Sequence, residues 1–250
     1  MAAPEAGLRS LPPTSAFAGD DGRADPALAD ALRPDGGSLE AVVRALATAR
    51  VLVPVTAELE QCEVGPRGLA EDKQASAGVA ALRAPDGRTA LPVFSSVAAL
   101  AAWSPLARPV PAMGPVAAAS ARHEGWELMV VDPAGAAVVV PRPAVVALAE
   151  GRPWEAAVRD GAVRSDVREA VLRAALAVER VLAAEAVPGT RAEVAVVLAL
   201  PAGLDRAGLD AVAAAVGASL AAEPLVASEV DSLELRVVLG DPSTEAGAGV

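Results

Sequence analysis

The sequence is poor in the residue types that most often carry chemistry. Its 250 residues include one cysteine, one histidine, two phenylalanines and no tyrosine. The single cysteine, Cys62, excludes an intramolecular disulfide and is typical of a protein in a reducing cytoplasm. One cysteine and one histidine cannot supply the usual zinc ligand sets from this chain alone. We therefore expect a cytoplasmic protein without a metal or cofactor.

Long apolar runs and clustered positive charge are also missing. No run approaches the ~20 apolar residues that span a bilayer, and the first residues lack the basic and apolar regions of a signal peptide. The net charge is −11, and an acidic surface repels nucleic-acid phosphates and anionic lipids. Lys73 is the single lysine and the arginines are isolated, so the sequence predicts no nucleic-acid or membrane partner. An unidentified protein partner remains open.

The hydrophobic content of 53% is ample for a core, although much of it is alanine. An Ala/Arg/Gly/Pro-rich composition of this kind is typical of GC-rich bacterial genomes. The pattern predicts an α/β (mixed α+β) fold, with an N-terminal mixed sheet flanked by helices and a smaller α/β domain after it. We place the boundaries at a disordered leader over 1–33, a first domain over 34–154, a linker over 155–165, a second domain over 166–240 and a disordered tail over 241–250.

The most legible stretch, residues 78–103, reads GVAALRAPDGRTALPVFSSVAALAAW. Residues 79–83 and 89–94 flank a Pro-Asp-Gly turn and predict a β-hairpin. Ser95 or Ser96 can then cap a short helix. We predict that 89–94 is a central strand with helices on both faces, which makes Phe94 a core residue.

The remaining pattern places helices and strands along both halves. Pro54 argues that its strand lies at a sheet edge or ends there, because proline cannot donate to a ladder. In the first half we predict a helix over 38–49, strands over 50–55, 108–113, 127–132 and 136–140, and helices over 116–123 and 144–150. In the second half we predict a helix over 166–185, a strand over 193–200, a helix over 205–222 and a β segment over 225–239.

The long polar loop 58–75 is the first candidate for a site, because such loops are either functional or disordered. Hard cations take oxygen ligands from acidic clusters, yet the spacing matches no known calcium loop and a solvated loop is the more ordinary interpretation. Glu63 beside Cys62 would raise the thiol pKa, opposite to what a nucleophile needs. The acidic residues of this loop are Glu58, Glu60, Glu63, Glu71 and Asp72.

The other candidate residues form no recognised motif. His123 has Ser120 and Glu124 nearby in sequence, but a triad needs partners brought by the fold, and an exposed helix-end histidine is the commoner case. The glycines match neither a dinucleotide-binding nor a Walker pattern. Trp103, Trp126 and Trp154 fit core margins or interface plugs better than base-stacking platforms. We therefore assign no catalytic, cofactor-binding or metal-binding residue.

Four segments carry a resemblance to a known family. They are ARVLVPV at 49–55, PDGR at 85–88, ALPVFSSVAALAAW at 90–103, and VVDPAG followed by VVVPRPAVVALAEGRPW between 130 and 154. In this order they resemble the SseB N-terminal domain family, common in actinobacterial proteins, and the second half resembles the looser C-terminal domain found behind it. The resemblance implies a mixed α/β domain and carries over no catalytic residue.

These observations favour a non-enzymatic protein–protein interaction module in the cytoplasm. One alternative is a small-molecule binder or enzyme that uses the acidic loop 58–75. A further alternative, a secretion-associated factor, comes from the family name alone, and no residue of the sequence independently indicates secretion.

Overall fold

The computed structural model describes residues 17–34, 37–57 and 77–239. It confirms the mixed α/β class, with an N-terminal mixed sheet between helices and a smaller C-terminal sheet with helices. The loop 58–75 with Cys62, the tail 241–250 and most of the proposed leader lie outside the described residues. The proposed domain boundaries as a set stay a prediction.

The N-terminal unit alternates short helices and strands. Its helices are α1 (Pro26–Ala31), α2 (Leu39–Leu46), α3 (Val97–Trp103), α4 (Gly114–His123) and α5 (Arg142–Ala149). Its strands are β1 (Arg50–Ala57), β2 (Ala77–Val79), β3 (Leu82–Arg83), β4 (Thr89–Val93), β5 (Arg108–Met113), β6 (Leu128–Val131) and β7 (Val138–Val140).

The C-terminal unit begins with a small hairpin, β8 (Val158–Arg159) and β9 (Ala162–Val163). Its helices are α6 (Ser165–Leu176), α7 (Arg206–Ala222) and α8 (Pro224–Glu229). Its strands are β10 (Ala183–Pro188), β11 (Val194–Leu200) and β12 (Leu233–Leu239).

A backbone bridge joins the two N-terminal sheets. One sheet has the order β2-β1-β5 and the other β3-β4-β6-β7, with β4 and β6 parallel. The Leu52 N–H donates to the Phe94 carbonyl at 2.8 Å, and the Phe94 N–H donates to the Leu52 carbonyl at 2.9 Å. The reciprocal pair makes β1 and β4 neighbours in one continuous layer.

Strand β4 is central and buried on both faces, as predicted. Leu91 and Val93 face a core built with α1, α2, α4 and α5. Phe94 is 0% exposed and faces the opposite side, where it packs with Leu52, Leu100 and, at a ring-centroid distance of 5.3 Å, Trp103. Phe94 is therefore a core residue of the face that α3 covers.

The edge assignment from Pro54 is wrong, because β1 lies inside the layer between β5 and its other neighbours. Leu52 directs its N–H and carbonyl toward Phe94, so Pro54, two residues on, also faces away from β5. Its nitrogen lies in the gap between the bridge at Leu52 and the β2 ladder, which begins at Val55. No ladder hydrogen bond is lost there.

The segment before residue 34 and the predicted hairpin also differ from expectation. Asp25 caps α1 through hydrogen bonds from the Ala27 and Leu28 N–H groups, and Leu28 is fully buried in the first core. The leader interpretation is therefore wrong for 26–31.

In the predicted hairpin only β3 pairs with β4, while β2 pairs with β1 instead.

The C-terminal sheet has the order β10-β11-β12, with β10 antiparallel and β12 parallel to β11. Side chains of α6, α7 and α8 cover one face and share a core with alternate residues of β11. This layer agrees with the predicted α/β character of the second half.

The predicted helix 166–185 is wrong beyond Leu176. The chain turns after α6, with Arg180 at φ 73°, and residues 183–188 become an edge strand on β11. Alanine favours a helix intrinsically, but pairing with β11 outweighs that preference. The predicted β segment 225–239 likewise divides into α8 and β12.

The predicted linker 155–165 is not a bare connection. It contains the β8–β9 hairpin, and Ala157 is fully buried in the C-terminal core. The chain therefore joins the second core before α6 begins.

We predict that Phe94→Ala raises the free energy of the folded state by about 3–5 kcal/mol, because it removes a fully buried aromatic ring and leaves a cavity. Urea denaturation followed by circular dichroism measures the change. Val139→Ala, at a residue that is 50% exposed on β7, is the control and should cost under about 0.5 kcal/mol. Equal effects of the two substitutions would contradict the core assignment.

Candidate functional site

The best-placed polar pair lies where β4 and β6 end. Their carboxyl ends meet because the strands are parallel, the usual place for ligands in open α/β sheets. The Ser95 hydroxyl donates to Asp132 Oδ2 at 2.7 Å, and the Ser95 N–H donates to Oδ1 at 2.9 Å. Asp132 adopts a left-handed backbone at φ 49°, which turns its carboxylate back onto Ser95. We call these two residues the strand-end pair.

Arg50 adds a positive charge beside the strand-end pair. Its Nη1 donates to the Ser95 carbonyl at 3.0 Å, and its Nη2 donates to Asp20 Oδ1 at 2.8 Å and to the Arg23 carbonyl. The guanidinium thus ties the chain before α1 to the end of the sheet. The side chains of Arg50 and Asp20 are only 13% and 18% exposed.

The strand-end pair borders a shallow cleft of about 280 Å³ between α3 and the β6–β7 turn. Apart from Asp132 its lining is apolar, with Leu32, Ala99 and Ala136 among its residues. Both Asp132 oxygens already accept hydrogen bonds from Ser95, and no histidine joins the pair. Nucleophilic catalysis by serine requires a base that can take its proton. The geometry therefore fits a clamp on the β4–α3 connection.

A second polar cluster joins the two units. Arg88, the last residue of the PDGR segment, donates from Nη1 and Nη2 to the two carboxylate oxygens of Asp231 at 2.8 and 3.0 Å. Its Nε donates to Asp86 at 2.7 Å. The hydrogen bonds to Asp231 are the main cause that raises the pKa of Arg88. Arg88 therefore holds a fixed charge at the start of the C-terminal strand β12.

Arg142 approaches the same carboxylate from α5. Its backbone N–H donates to Asp231 Oδ1 at 3.0 Å. Its side-chain Nη2 donates to the carbonyls of Ala227 and Val230 at 2.8 and 3.0 Å. Asp231 thus receives donors from two segments of the N-terminal unit. We call Arg88, Arg142 and Asp231 the junction triad.

Two partly buried glutamates, Glu193 and Glu40, support the junction. Glu193 accepts the N–H groups of Asp231 at 2.8 Å and Ala157 at 3.3 Å, and burial raises the pKa of its carboxyl group. Glu40 on α2 accepts the Ala156 N–H at 3.0 Å and pairs with Arg159. The chain segment that connects the units is therefore hydrogen-bonded to both of them, to Glu40 through Ala156 and to Glu193 through Ala157.

Glu234 on β12 forms a third cluster, on the sheet face that carries no helix of the C-terminal core. It accepts the Thr190 N–H at 2.8 Å and bonds to Arg191 Nε at 3.1 Å and to Arg236 Nη2. The backbone N–H of Thr190 contributes most to lowering the pKa of Glu234 to about 2. The carboxylate therefore stays charged well into acid.

The structure does not bring the sequence candidates together. His123 is exposed at the end of α4, and the Ser120 hydroxyl donates to the Val116 carbonyl of its own helix at 3.0 Å. Trp126 and Trp154 pack partly buried against the first core, while Trp103 packs against the second face. Cys62 and the five acidic residues of the loop 58–75 lie outside the described residues.

Sequence reasoning missed the junction triad. The PDGR segment indicated only a turn, and Asp231 lay 143 residues away from Arg88. A charged residue at the end of a turn, and another two residues before a strand, were the only local signals. Distance along the chain concealed their pairing.

Two findings apply to the described residues alone. They contain no group of three or more histidine, cysteine, aspartate or glutamate side chains that could hold a metal ion. Within the same part of the chain, every helix is too short or too polar to cross a membrane.

Residues 25–147 match the family model described as SseB protein N-terminal domain. The match runs from the cap of α1 into α5, and it includes the strand-end pair, Arg88 and Arg142. Asp231 and the C-terminal unit lie beyond it. No curated protein and no solved structure matches the chain.

We predict that Asp231→Ala destabilises the protein by about 2–3 kcal/mol, because it leaves the Arg88 guanidinium and the Arg142 N–H without their carboxylate. Chemical denaturation at neutral pH measures the loss. Asp210→Ala is the matched control, since Asp210 forms an exposed pair with Arg206 on α7 and should change stability by under about 1 kcal/mol. An unchanged midpoint for Asp231→Ala would show that the junction triad contributes nothing.

We also predict a pH dependence for Glu234. Its folded-state pKa of about 2 lies below the ordinary value of 4.5, so its stabilising charge is complete above pH 4.5 and is lost as the pH falls toward 2. Glu234→Gln should therefore lower the melting temperature at pH 7, and this difference from wild type should shrink in acid. Glu169→Gln, at an exposed carboxylate on α6, is the control. A difference that is constant between pH 7 and pH 2.5 would contradict the assignment.

Proposed function

We propose that this chain, which belongs through residues 25–147 to the SseB protein N-terminal domain family, acts by binding another protein in the cytoplasm and not by catalysis. The observation that carries the proposal is a run of exposed apolar side chains on an edge of the N-terminal sheet. The single cysteine is consistent with a reducing compartment.

The exposed run lies on and around β5. Leu106 is 90% exposed, Val110 45%, Met113 37% and Val116 57%. These four residues occur within 11 consecutive positions along this sheet edge, with Val110 and Met113 on opposite faces of the sheet because strand residues alternate, and we call them the β5 surface. Isolated exposed apolar residues are ordinary, whereas grouped ones are typical of protein contact sites.

The backbone of β5 limits how a partner can bind. Pro109 and Pro111 oppose Pro54 and Leu52 of β1, at positions whose ladder groups face away from β1. Both prolines therefore remove N–H groups from the outer edge of the sheet. Another strand cannot pair regularly there, so a partner has to bind through side chains.

An exposed positive charge lies next to the β5 surface. Arg108 is exposed and forms no ion pair within the described part of the chain. A partner with apolar side chains and a neighbouring carboxylate complements this arrangement. The partner we propose is therefore a protein whose contact surface is apolar and carries a carboxylate placed to pair with Arg108.

The alternative functions have less support. A serine hydrolase would need a general base such as histidine beside the Ser95 hydroxyl, and the one histidine of the chain, His123, lies exposed at the end of α4. An enzyme or small-molecule site in the loop 58–75 would involve residues outside those described. No observation favours the secretion-associated alternative.

The test is affinity purification of the full chain from its native cell. We predict that the double variant Leu106→Ser and Val116→Ser reduces capture of the partner at least tenfold while its melting temperature stays close to wild type, because both side chains are exposed. Val139→Ser, at an exposed valine on the opposite edge strand β7, is the matched control.

Equal capture by the double variant and the wild type would reject the β5 surface as the binding site. A partner captured through acidic residues would in addition be lost by Arg108→Glu and retained by Arg108→Lys. Capture that is insensitive to both of these substitutions would reject the proposed pairing of Arg108 with a carboxylate of the partner.

A further inference from the structure

The C-terminal sheet has one open edge, formed by β12. Strand β10 at one side contacts β9 and α6, whereas β12 at the other side has no strand neighbour on its outer edge among the described residues. Strand β12 reads LELRVVL and contains no proline. An unguarded edge of this length is a ready template for another strand.

The ladder to β11 shows which backbone groups of β12 are directed outward. The Val194 N–H donates to the Ser232 carbonyl at 3.2 Å, and β11 and β12 run parallel in register from that point. Because strand residues alternate, Glu234 and Arg236 direct their backbone groups toward β11. Leu233, Leu235 and Val237 therefore direct theirs to the free edge.

The side chains of β12 divide between the two faces of the sheet. Leu233 and Leu235 lie on the helical face, only partly buried, beside an open groove of about 580 Å³. Gly217 and Ala221 of α7 and Val226 of α8 form other parts of this groove. Glu234 and Arg236 lie on the opposite face and bond to each other.

We propose that a second copy of this chain pairs its β12 antiparallel with this strand, around a two-fold axis through Leu235. The two sheets then form one six-stranded sheet with all the helices on one face. The outward groups of Leu235 bond to those of Leu235 in the second copy. Those of Val237 bond to Leu233 of the second copy.

Charge favours this register over the two adjacent symmetric registers. An axis through Leu235 places Glu234 opposite Arg236 of the second copy, twice. An axis one residue earlier places two glutamates opposite each other, and one residue later two arginines. Opposite charges directly across a strand pair stabilise it, and like charges destabilise it.

The groove supplies apolar area that strand pairing lacks. A stable interface needs roughly 800 Å² from each partner, more than one seven-residue strand edge provides. In the two-fold arrangement the grooves of both copies adjoin over the two Leu235 side chains. Gly217 has open space around it, so α7 leaves room for the second copy.

This proposal is independent of the proposed function. It uses the C-terminal edge, whereas the partner surface is on β5 of the N-terminal unit. The two edges differ in their capacity to pair with another strand. Prolines remove outward N–H groups from the β5 edge, whereas β12 contains no proline and keeps its outward N–H groups.

The test is the mass of the full chain by sedimentation equilibrium at micromolar concentration. We expect twice the 24.9 kDa of one chain. Val237→Pro removes the outward N–H and should raise the dimer dissociation constant at least tenfold, since both copies lose a hydrogen bond. Val237→Ala keeps that N–H and is the matched control. Circular dichroism establishes that both variants are folded.

A charge exchange tests the register itself. Arg236→Glu should weaken the dimer, because it places glutamate opposite Glu234 of the second copy. The double variant Arg236→Glu with Glu234→Arg should restore it. If the double variant fails to fold, cross-linking of Leu235→Cys to itself across the axis gives the same information, since Cys62 can be changed to Ser beforehand.

Three outcomes would overturn the proposal. The first is a wild-type chain that is monomeric throughout the micromolar range. The second is a dimer that Val237→Pro leaves unchanged. The third is a monomer that dimerises only when residues 241–250 are removed, which would assign the edge to the chain's own tail.

Discussion

The N-terminal unit depends on the two hydrogen bonds between Leu52 and Phe94. They convert two small sheets into one layer, which has α2, α4 and α5 on one face and α3 on the other. Phe94 then becomes the largest fully buried side chain of the described residues. In a chain whose other buried residues are mostly valine, leucine and alanine, one aromatic ring supplies an unusual share of the buried apolar area.

The small side chains also explain why the two units are joined by polar contacts. Alanine and valine bury little area each, so a purely apolar contact between the units would be weak. Asp231 instead receives two guanidinium hydrogen bonds and one backbone N–H, and Glu193 receives two backbone N–H groups next to it. Such contacts are strong only in fixed geometry, which the turn at residues 85–88 and the start of α5 provide.

The sequence predicted the N-terminal elements well because their signals are local. The Pro-Asp-Gly turn, the serine caps and the alternation around Leu91 and Val93 each act within a few residues. Its errors have a common cause in long-range pairing. Residues 183–188 are alanine-rich but pair with β11, Pro54 lies in a gap of an interior strand, and Arg88 meets a carboxylate from the far end of the chain. The acidic loop, predicted as the first place for a site, lies outside the described residues.

The distribution of the indole rings has a spectroscopic consequence. Trp103, Trp126 and Trp154 all pack against the N-terminal unit, and the chain has no tyrosine. Tryptophan fluorescence therefore reports on that unit alone, and residues 165–239 contribute no tryptophan or tyrosine emission. Far-ultraviolet dichroism, in contrast, follows the helices and strands of both units. Where the two signals change together, the units unfold as one cooperative body; where they separate, the difference between the curves measures how strongly the first unit is linked to the second.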